Sequence, residues 1–364
     1  MIGSIGLGIP PHNMSQQSVK SIISTIFDKS ASRMINRLLP VFDNAQIDNR
    51  QFVVDEEWLR NNHTFAEKND LYHHYAQTYS LKAIDACLTN EHLLNEPVPY
   101  EAIDMIIFVS STGIATPSID TYMMSERPFR EDVVRMPLWG LGCAGGAIGL
   151  SRAFDWIKAH PDKNVLLVCC ELCSLTFQKD DLSKSNIVGS ALFGDGAAAA
   201  LLLGEDSNWR SAIKCSKTKP RIIQTSSATK KHTHSVMGWN ITDRGMEVVF
   251  AKSIPAQVRT FWKKHIETFL ANLQLSPHNI HSFIAHPGGR KVLEAMETVL
   301  QAPPSKFLYA HRVLRDHGNM SSATVLYVLY EWMKDNVPEK MLSVVSALGP
   351  GFSSELLLLE WNEH

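Results

Sequence analysis

The chain is short of every feature that would direct it to a nucleic acid, a bilayer or an oxidising compartment. Its 364 residues carry 35 basic and 37 acidic side chains, a net charge of -2, so there is no charge excess to neutralise phosphates or an anionic surface. No basic tract interleaved with aromatics occurs. No apolar run is long enough to cross a bilayer, and MIGSIGLGIPPHN lacks the charged start and long apolar core of an export signal. A cytoplasmic protein with no membrane span and no nucleic-acid partner is expected. The six cysteines, Cys87, Cys143, Cys169, Cys170, Cys173 and Cys215, are too sparse for a disulfide framework in a chain this long, so reduced thiols are expected. Cys170 and Cys173 make a CxxC, but they lie in the strand-like NVLLVCCEL with no second pair to complete a zinc site. That context favours buried thiols, and no metal is expected.

What is present is apolar content, 45% of the residues, enough for one large globular unit or two tightly joined halves. A strand is expected at Gly3 to Ile9 and a helix from about Ser15. Thr64-Phe-Ala-Glu67 is a capping box that opens a long amphipathic helix reaching Cys87. The apolar run Met105 to Val109, a polar turn at Ser110 to Gly113, a helix after Cys143 and a strand from Asn164 to Cys170 follow. Strands alternating with helices predict an α/β fold with covered sheets. A more polar connector, Gly204 to Arg221, divides the chain into halves of about 1–205 and 206–364. The second half repeats the logic, with a helix from Ile254 to Leu273, a strand from Ser282 to Ala285, and helices from Arg290 to Leu300 and from Ser322 to Met333. Two echoes point to duplication. Gly194-Asp-Gly196 and Gly349-Pro-Gly351 each feed an apolar strand, and the helix after Cys143 has a counterpart that starts at Asn319. Pseudo-symmetric packing would then face Cys143 and Asn319 across a shared centre, although Gly-x-Gly is common enough to recur by chance.

LWGLGCAGGAIGLSRAFDWIK, residues 138–158, sets Cys143 between a glycine-punctuated turn and a helix. Unpaired N–H groups and the helix dipole would stabilise a thiolate there. The competing reading is a small apolar residue in a tight packing spot. Acyl transfer through a thiol also needs a group to poise it and donors for the developing oxyanion. His286, at a strand end before Pro287-Gly-Gly289, and Asn319, in His317-Gly-Asn-Met-Ser-Ser322, are the candidates. Alone, each has an ordinary structural role: a hydrogen-bonded histidine, and an N-cap.

The contexts GLGCAGG, ALFGDGAAA, AHPGG, GNMSSA and ALGPGF, in this order and spacing, resemble those of the type III polyketide synthases, the chalcone and stilbene synthase superfamily. STGIATPSID and WGLGCAGG resemble bacterial, alkylpyrone synthase-like members most. The resemblance implies a thiolase fold, an αβαβα core of two pseudo-symmetric halves, in a homodimer. It implies an acyltransferase that condenses an acyl-CoA starter with malonyl-CoA by decarboxylative Claisen condensation, with no cofactor beyond the CoA thioesters themselves. Cys143 would carry the chain, while His286 and Asn319 hold the malonyl thioester. Phe193 matches an aromatic gatekeeper, its alternative role being core packing. Val248, by alignment on Gly245 and Lys252, stands where plant enzymes carry a second gatekeeping phenylalanine, and Met246 falls at a cavity-lining position. Cys173, Thr176, Ser321, Leu348 and Gly351 fall at substrate-binding positions. Thr116 matches the residue that reaches into the partner's cavity, and Arg50 matches a residue that grips CoA phosphates. Valine at 248 implies room for a long-chain fatty acyl-CoA and an alkylpyrone product, with an alkylresorcinol as runner-up. A ketoacyl synthase III shares the trio, but that family has Gln-Ala-Asn after its histidine where this chain has Pro-Gly-Gly. A papain-like hydrolase lacks support from the residues around Cys143. A non-catalytic scaffold would release no CoA.

Overall fold

The computed structural model describes residues 1–335 and 337–363. Its strands run, in chain order, β1 (Ile2–Gly8), β2 (His12–Ser15), β3 (Asn49–Phe52), β4 (Met105–Val109), β5 (Val134–Leu138), β6 (Asn164–Leu172), β7 (Asp195–Leu203), β8 (Lys219–Thr229), β9 (Met237–Thr242), β10 (Gly245–Phe250), β11 (Ile280–Ala285), β12 (Leu342–Gly349) and β13 (Ser353–Asn362). One sheet has the order β1-β7-β6-β4-β5 and the other β11-β12-β13-β8. In the first, β4 and β6 are parallel, and β6–β7 and β7–β1 are antiparallel. In the second, β11 and β12 are parallel, and β12–β13 and β13–β8 are antiparallel. The four-strand patterns coincide in order and sense, so the two echoes in the sequence mark a structural repeat.

Strands β6 and β7 are buried along their full length, which follows from being covered on both faces. Helix Phe65–Leu88, with the expected capping box at Thr64, covers β1, β6 and β7 from outside. Helices Gly145–Ala159 and Thr324–Lys334 pack between the sheets, the former touching β4, β6, β12 and β13 and the latter β1, β7, β11 and β12. Helix Lys263–Asn272 lies against β13 on the second sheet, which completes an αβαβα layering. The two central helices meet at their starts. A Cβ on Gly146 would fall 2.3 Å from the Ser322 carbonyl oxygen, so only glycine allows this approach.

The polar connector is more ordered than its composition suggests. Asn208–Ala212 forms a 3-10 turn, and β8 begins at Lys219, inside the segment read as connector. Beyond it, β9 and β10 form a separate antiparallel hairpin with Val248 opposite Trp239. Helix Ile254–Gln257 passes through a π-helical turn, Val258–Trp262, into helix Lys263–Asn272. No helix among the described residues is long and apolar enough to cross a membrane.

Candidate active site

Cys143 lies in the 3-10 turn Gly142–Ala144 that runs into helix Gly145–Ala159. Ser321 begins the matching turn, Ser321–Ala323, ahead of helix Thr324–Lys334. The repeat thereby delivers Asn319 to the thiol: Cys143 Sγ is 3.9 Å from Asn319 Oδ1 and 4.0 Å from Nδ2. Oδ1 accepts from the Ser321 N–H at 2.8 Å, so the amide does cap the turn. That cap fixes its orientation and leaves Nδ2 as the group that can donate into the site, toward Cys143 Sγ and, at a long 3.4 Å, the Gly288 carbonyl.

His286 follows the C-terminal end of β11, and its N–H donates to the Ser346 carbonyl of β12 at 2.7 Å. Its side chain is 3% exposed, and neither ring nitrogen has a hydrogen-bond partner among the described residues. A buried imidazole with both nitrogens unpaired costs folding free energy, on the order of 1–3 kcal/mol for each unsatisfied group, which marks it as held for another purpose than stability. Burial pushes its pKa down to about 3. The Cys143 thiol, 7% exposed, is pushed up to about 11, first by burial and then by the charge of Glu171, against hydrogen bonds from Ser321 and Asn319. Burial thus works against the thiolate that the helix start favours. Desolvation acts on both groups in the direction that favours their neutral forms.

Glu171 was not singled out in the sequence. It is wholly buried at the end of β6, accepts from Ser322 Oγ at 2.6 Å and from the Ser111 N–H at 2.9 Å, and burial raises it to about 7. Ser111 Oγ in turn accepts from the Gly142 N–H at 3.2 Å. One carboxylic group thus ties the Cys143 turn to the Ser321 turn.

Phe193, Val248, Cys173 and Thr176 line one apolar cavity with Val19, Ile23 and Leu59. Thr176 also borders a small recess with Met246 and Thr112. The Phe193 ring packs at 6.1 Å from both Trp239 and Phe250. Trp239, unnoticed in the sequence because only the register of the hairpin places it opposite Val248, restores aromatic bulk beside the valine. Leu348 is buried near the end of β12. Beyond it, a Cβ on Gly349 would fall 2.7 Å from the Leu141 carbonyl oxygen, and Pro350 packs against Gly142. The Gly351 carbonyl accepts from Thr233 Oγ1 at 3.1 Å, so this loop backs the Cys143 turn.

Two residues remain. Thr116 is exposed, on the rim of a surface cavity with Ile114, Pro137 and Trp139. Arg50 is 0% exposed, its Nη1 and Nη2 donate to protein acceptors and its Nε is buried; it is not a surface grip for CoA, and that assignment is corrected. A better set of cations surrounds a cavity of about 490 Å³ that Gly288 and Gly289 also border, namely Arg37, Lys184, Lys252 and Lys291. Lys184 is held below its ordinary value, by desolvation first and then by Lys252 and Lys291. Their scatter over four segments is why the sequence did not reveal them.

Matched helix starts that present a thiol and an amide to each other, within two layered sheets of one pattern, define a thiolase-fold acyltransferase. Models of the N-terminal domain and the C-terminal domain of chalcone and stilbene synthases match residues 1–207 and 223–361. A Bacillus subtilis (strain 168) protein named "Putative chalcone synthase" is 44% identical over 361 residues, 99% of this chain and 98% of that one. The 1,3,6,8-tetrahydroxynaphthalene synthase of Streptomyces peucetius subsp. caesius is 34% identical over 362 residues, covering 99% and 93%. The crystal structure of the Streptomyces coelicolor A3(2) enzyme of that name, a bacterial type III polyketide synthase, superposes with a TM-score of 0.91 at 24% identity, over 100% of this chain and 99% of that one. The chain belongs to the chalcone and stilbene synthase family, the type III polyketide synthases.

Proposed function

We propose that the enzyme loads a long-chain fatty acyl-CoA on Cys143, extends it with malonyl-CoA and releases an alkylpyrone. A neutral imidazole is the form that can accept a proton, so His286 takes the Cys143 proton as Sγ attacks the starter's thioester carbonyl, and returns it to the departing CoA thiolate. Malonyl-CoA then loses CO₂, and its electron pair becomes an enolate on the thioester oxygen. His286 N–H and Asn319 Nδ2 are the donors for that oxygen. The enolate carbon attacks the acyl carbonyl on Cys143, the C–S bond breaks to leave the Cys143 thiolate, and the chain, two carbons longer and now a CoA thioester, returns to Cys143 with release of CoA for the next round.

The observation that carries the starter assignment is the apolar cavity behind Phe193 and Val248, which Val19, Ile23 and Leu59 continue. That cavity is small, about 40 Å³, and the neighbouring one of about 320 Å³ beyond Leu59 and Phe177 is lined mainly by polar and charged side chains, Glu67, Lys68, Asp180 and Arg244 among them, so a long tail has to part the apolar side chains of the first. Each methylene removed from water contributes about 0.8 kcal/mol, which favours long acyl groups over acetyl. The cations Arg37, Lys184, Lys252 and Lys291 suit the CoA phosphates. The exposed rim around Thr116, with Trp139 54% and Ile114 41% exposed, suits burial against a second copy in a homodimer. Trp239 favours a second reading, a malonyl-derived aromatic, by narrowing the space that valine opens; relatives include enzymes named 1,3,6,8-tetrahydroxynaphthalene synthase and phloroglucinol synthase. Mass spectrometry of products from acyl-CoA starters of graded length with labelled malonyl-CoA separates the two. Alkylpyrones that scale with starter length support the first, and one product independent of starter rejects it.

A further inference from the structure

Arg50 is the largest charged side chain among the fully buried ones described, and it has no role in the chemistry above. Its Nη1 donates to the Ser190 carbonyl at 2.6 Å and the Phe193 carbonyl at 2.9 Å, and its Nη2 to Gln16 Oε1 at 2.6 Å. Gln16 Nε2 donates in turn to the carbonyls of Ala191 and Phe42. Ser190, Ala191 and Phe193 are the loose carbonyls at the C-terminal end of helix Lys184–Leu192, where a cation also opposes the dipole. Burial lowers Arg50 to about 9 against the field of Asp195.

The segment so held is also joined to Asn319. Gly194 N–H donates to the Asn319 carbonyl at 3.0 Å and Asn319 N–H to the Leu192 carbonyl at 2.9 Å, a bridge that sets Phe193 and Asn319 side by side. The Arg50 stem lies directly beneath. Gly318 has φ +69°, and a Cβ there would sit 2.8 Å from both Arg50 Cγ and Cδ, so the residue before Asn319 rests on the arginine with no room for a side chain.

We propose that Arg50 is a positioning residue: by holding the Phe193 carbonyl it fixes, through the Phe193–Asn319 bridge, where the Asn319 amide stands against Cys143 and how far the Phe193 ring enters the acyl cavity. This rests on the roles given to Asn319 and Phe193 under the proposed function. Those roles fail if Asn319→Ala, with Arg50 intact, leaves malonyl-CoA decarboxylation unchanged. The inference about Arg50 fails on its own variants.

Arg50→Lys keeps the charge and most of the stem, but an ammonium cannot reproduce the planar fork. Gln16→Met removes only the acceptor of Nη2. Decarboxylation kcat and KM, the starter-length profile and the melting temperature are measured on both purified proteins. In Arg50→Lys, kcat should fall about 10-fold or more with KM within about twofold, the split expected of a lost transition-state contact, and the starter profile should broaden. Gln16→Met should move kcat the same way by less. A lowered melting temperature with kcat and profile unchanged would make Arg50 merely structural, and a raised KM at constant kcat would make it a CoA contact; either overturns the proposal. If Arg50→Lys yields no folded protein, Gln16→Met decides alone, and an unchanged kcat and profile there also overturns it.

Discussion

At the residue scale the site is governed by burial. Burial favours the neutral thiol and the neutral imidazole, so reaction with iodoacetamide in the free enzyme should require a pH above the ordinary thiol value of 9.0, toward the value of about 11 to which Cys143 is pushed. A labelling midpoint near neutrality would show a resting thiolate–imidazolium pair instead. Asn319→Ala removes one enolate donor and should slow decarboxylation by roughly 100-fold to 1,000-fold, while single-turnover loading of the starter on Cys143 changes little; equal losses in both would reduce Asn319 to its cap on Ser321. Glu171 gives a stability prediction with a definite sign. Its folded pKa of about 7 lies above the ordinary 4.5, so between those values the folded state holds the proton more tightly than the unfolded. Its contribution is present in full below 4.5 and is lost as pH rises through 7, about 3 kcal/mol in all. Glu171→Gln should flatten that part of the denaturant-midpoint profile, and a parallel shift at every pH would exclude titration of Glu171 as its cause. Cys143, His286 and Asn319 were legible because each sits in a glycine-marked turn at an element end. Glu171 was not, since CCEL inside an apolar strand gives no sign of which face the carboxylate takes or what it meets.

At the element scale, periodicity located what is local. The capping box at Thr64, strand Met105–Val109 and helix Arg290–Leu300 stand as the sequence predicts, because cap chemistry and apolar runs are settled within a turn or two. The hairpin Met237–Thr242/Gly245–Phe250 escaped, since its residues are half exposed and mixed in polarity, and its register depends on packing against helix Lys184–Leu192. That register bears on the starter. Val248 faces Gly189 and Phe193, so Val248→Phe should shift the preferred acyl-CoA to shorter chains while sparing decarboxylation. Trp239→Ala should shift it the other way. An unchanged chain-length profile in both variants would put the acyl tail elsewhere.

At the scale of the whole molecule, duplication was visible as two Gly-x-Gly turns and two helix starts, and the matching sheet orders give those echoes their physical reason. One α/β layer repeated and packed face to face brings corresponding helix N-termini together at the centre. Arg50 shows where resemblance outran packing: a basic residue at the matching position turned inward because the carbonyls at the end of helix Lys184–Leu192 and Gln16 offered acceptors. The cations proposed in its place come from segments that only the tertiary fold assembles. The most direct test of the whole account is intact-protein mass spectrometry after brief mixing with a long-chain acyl-CoA and then malonyl-CoA. The account predicts a single acyl adduct, mapped to Cys143 and absent in Cys143→Ala, whose mass grows by two-carbon ketide units when malonyl-CoA is added. An adduct on another residue, or product formation by Cys143→Ala, would contradict it.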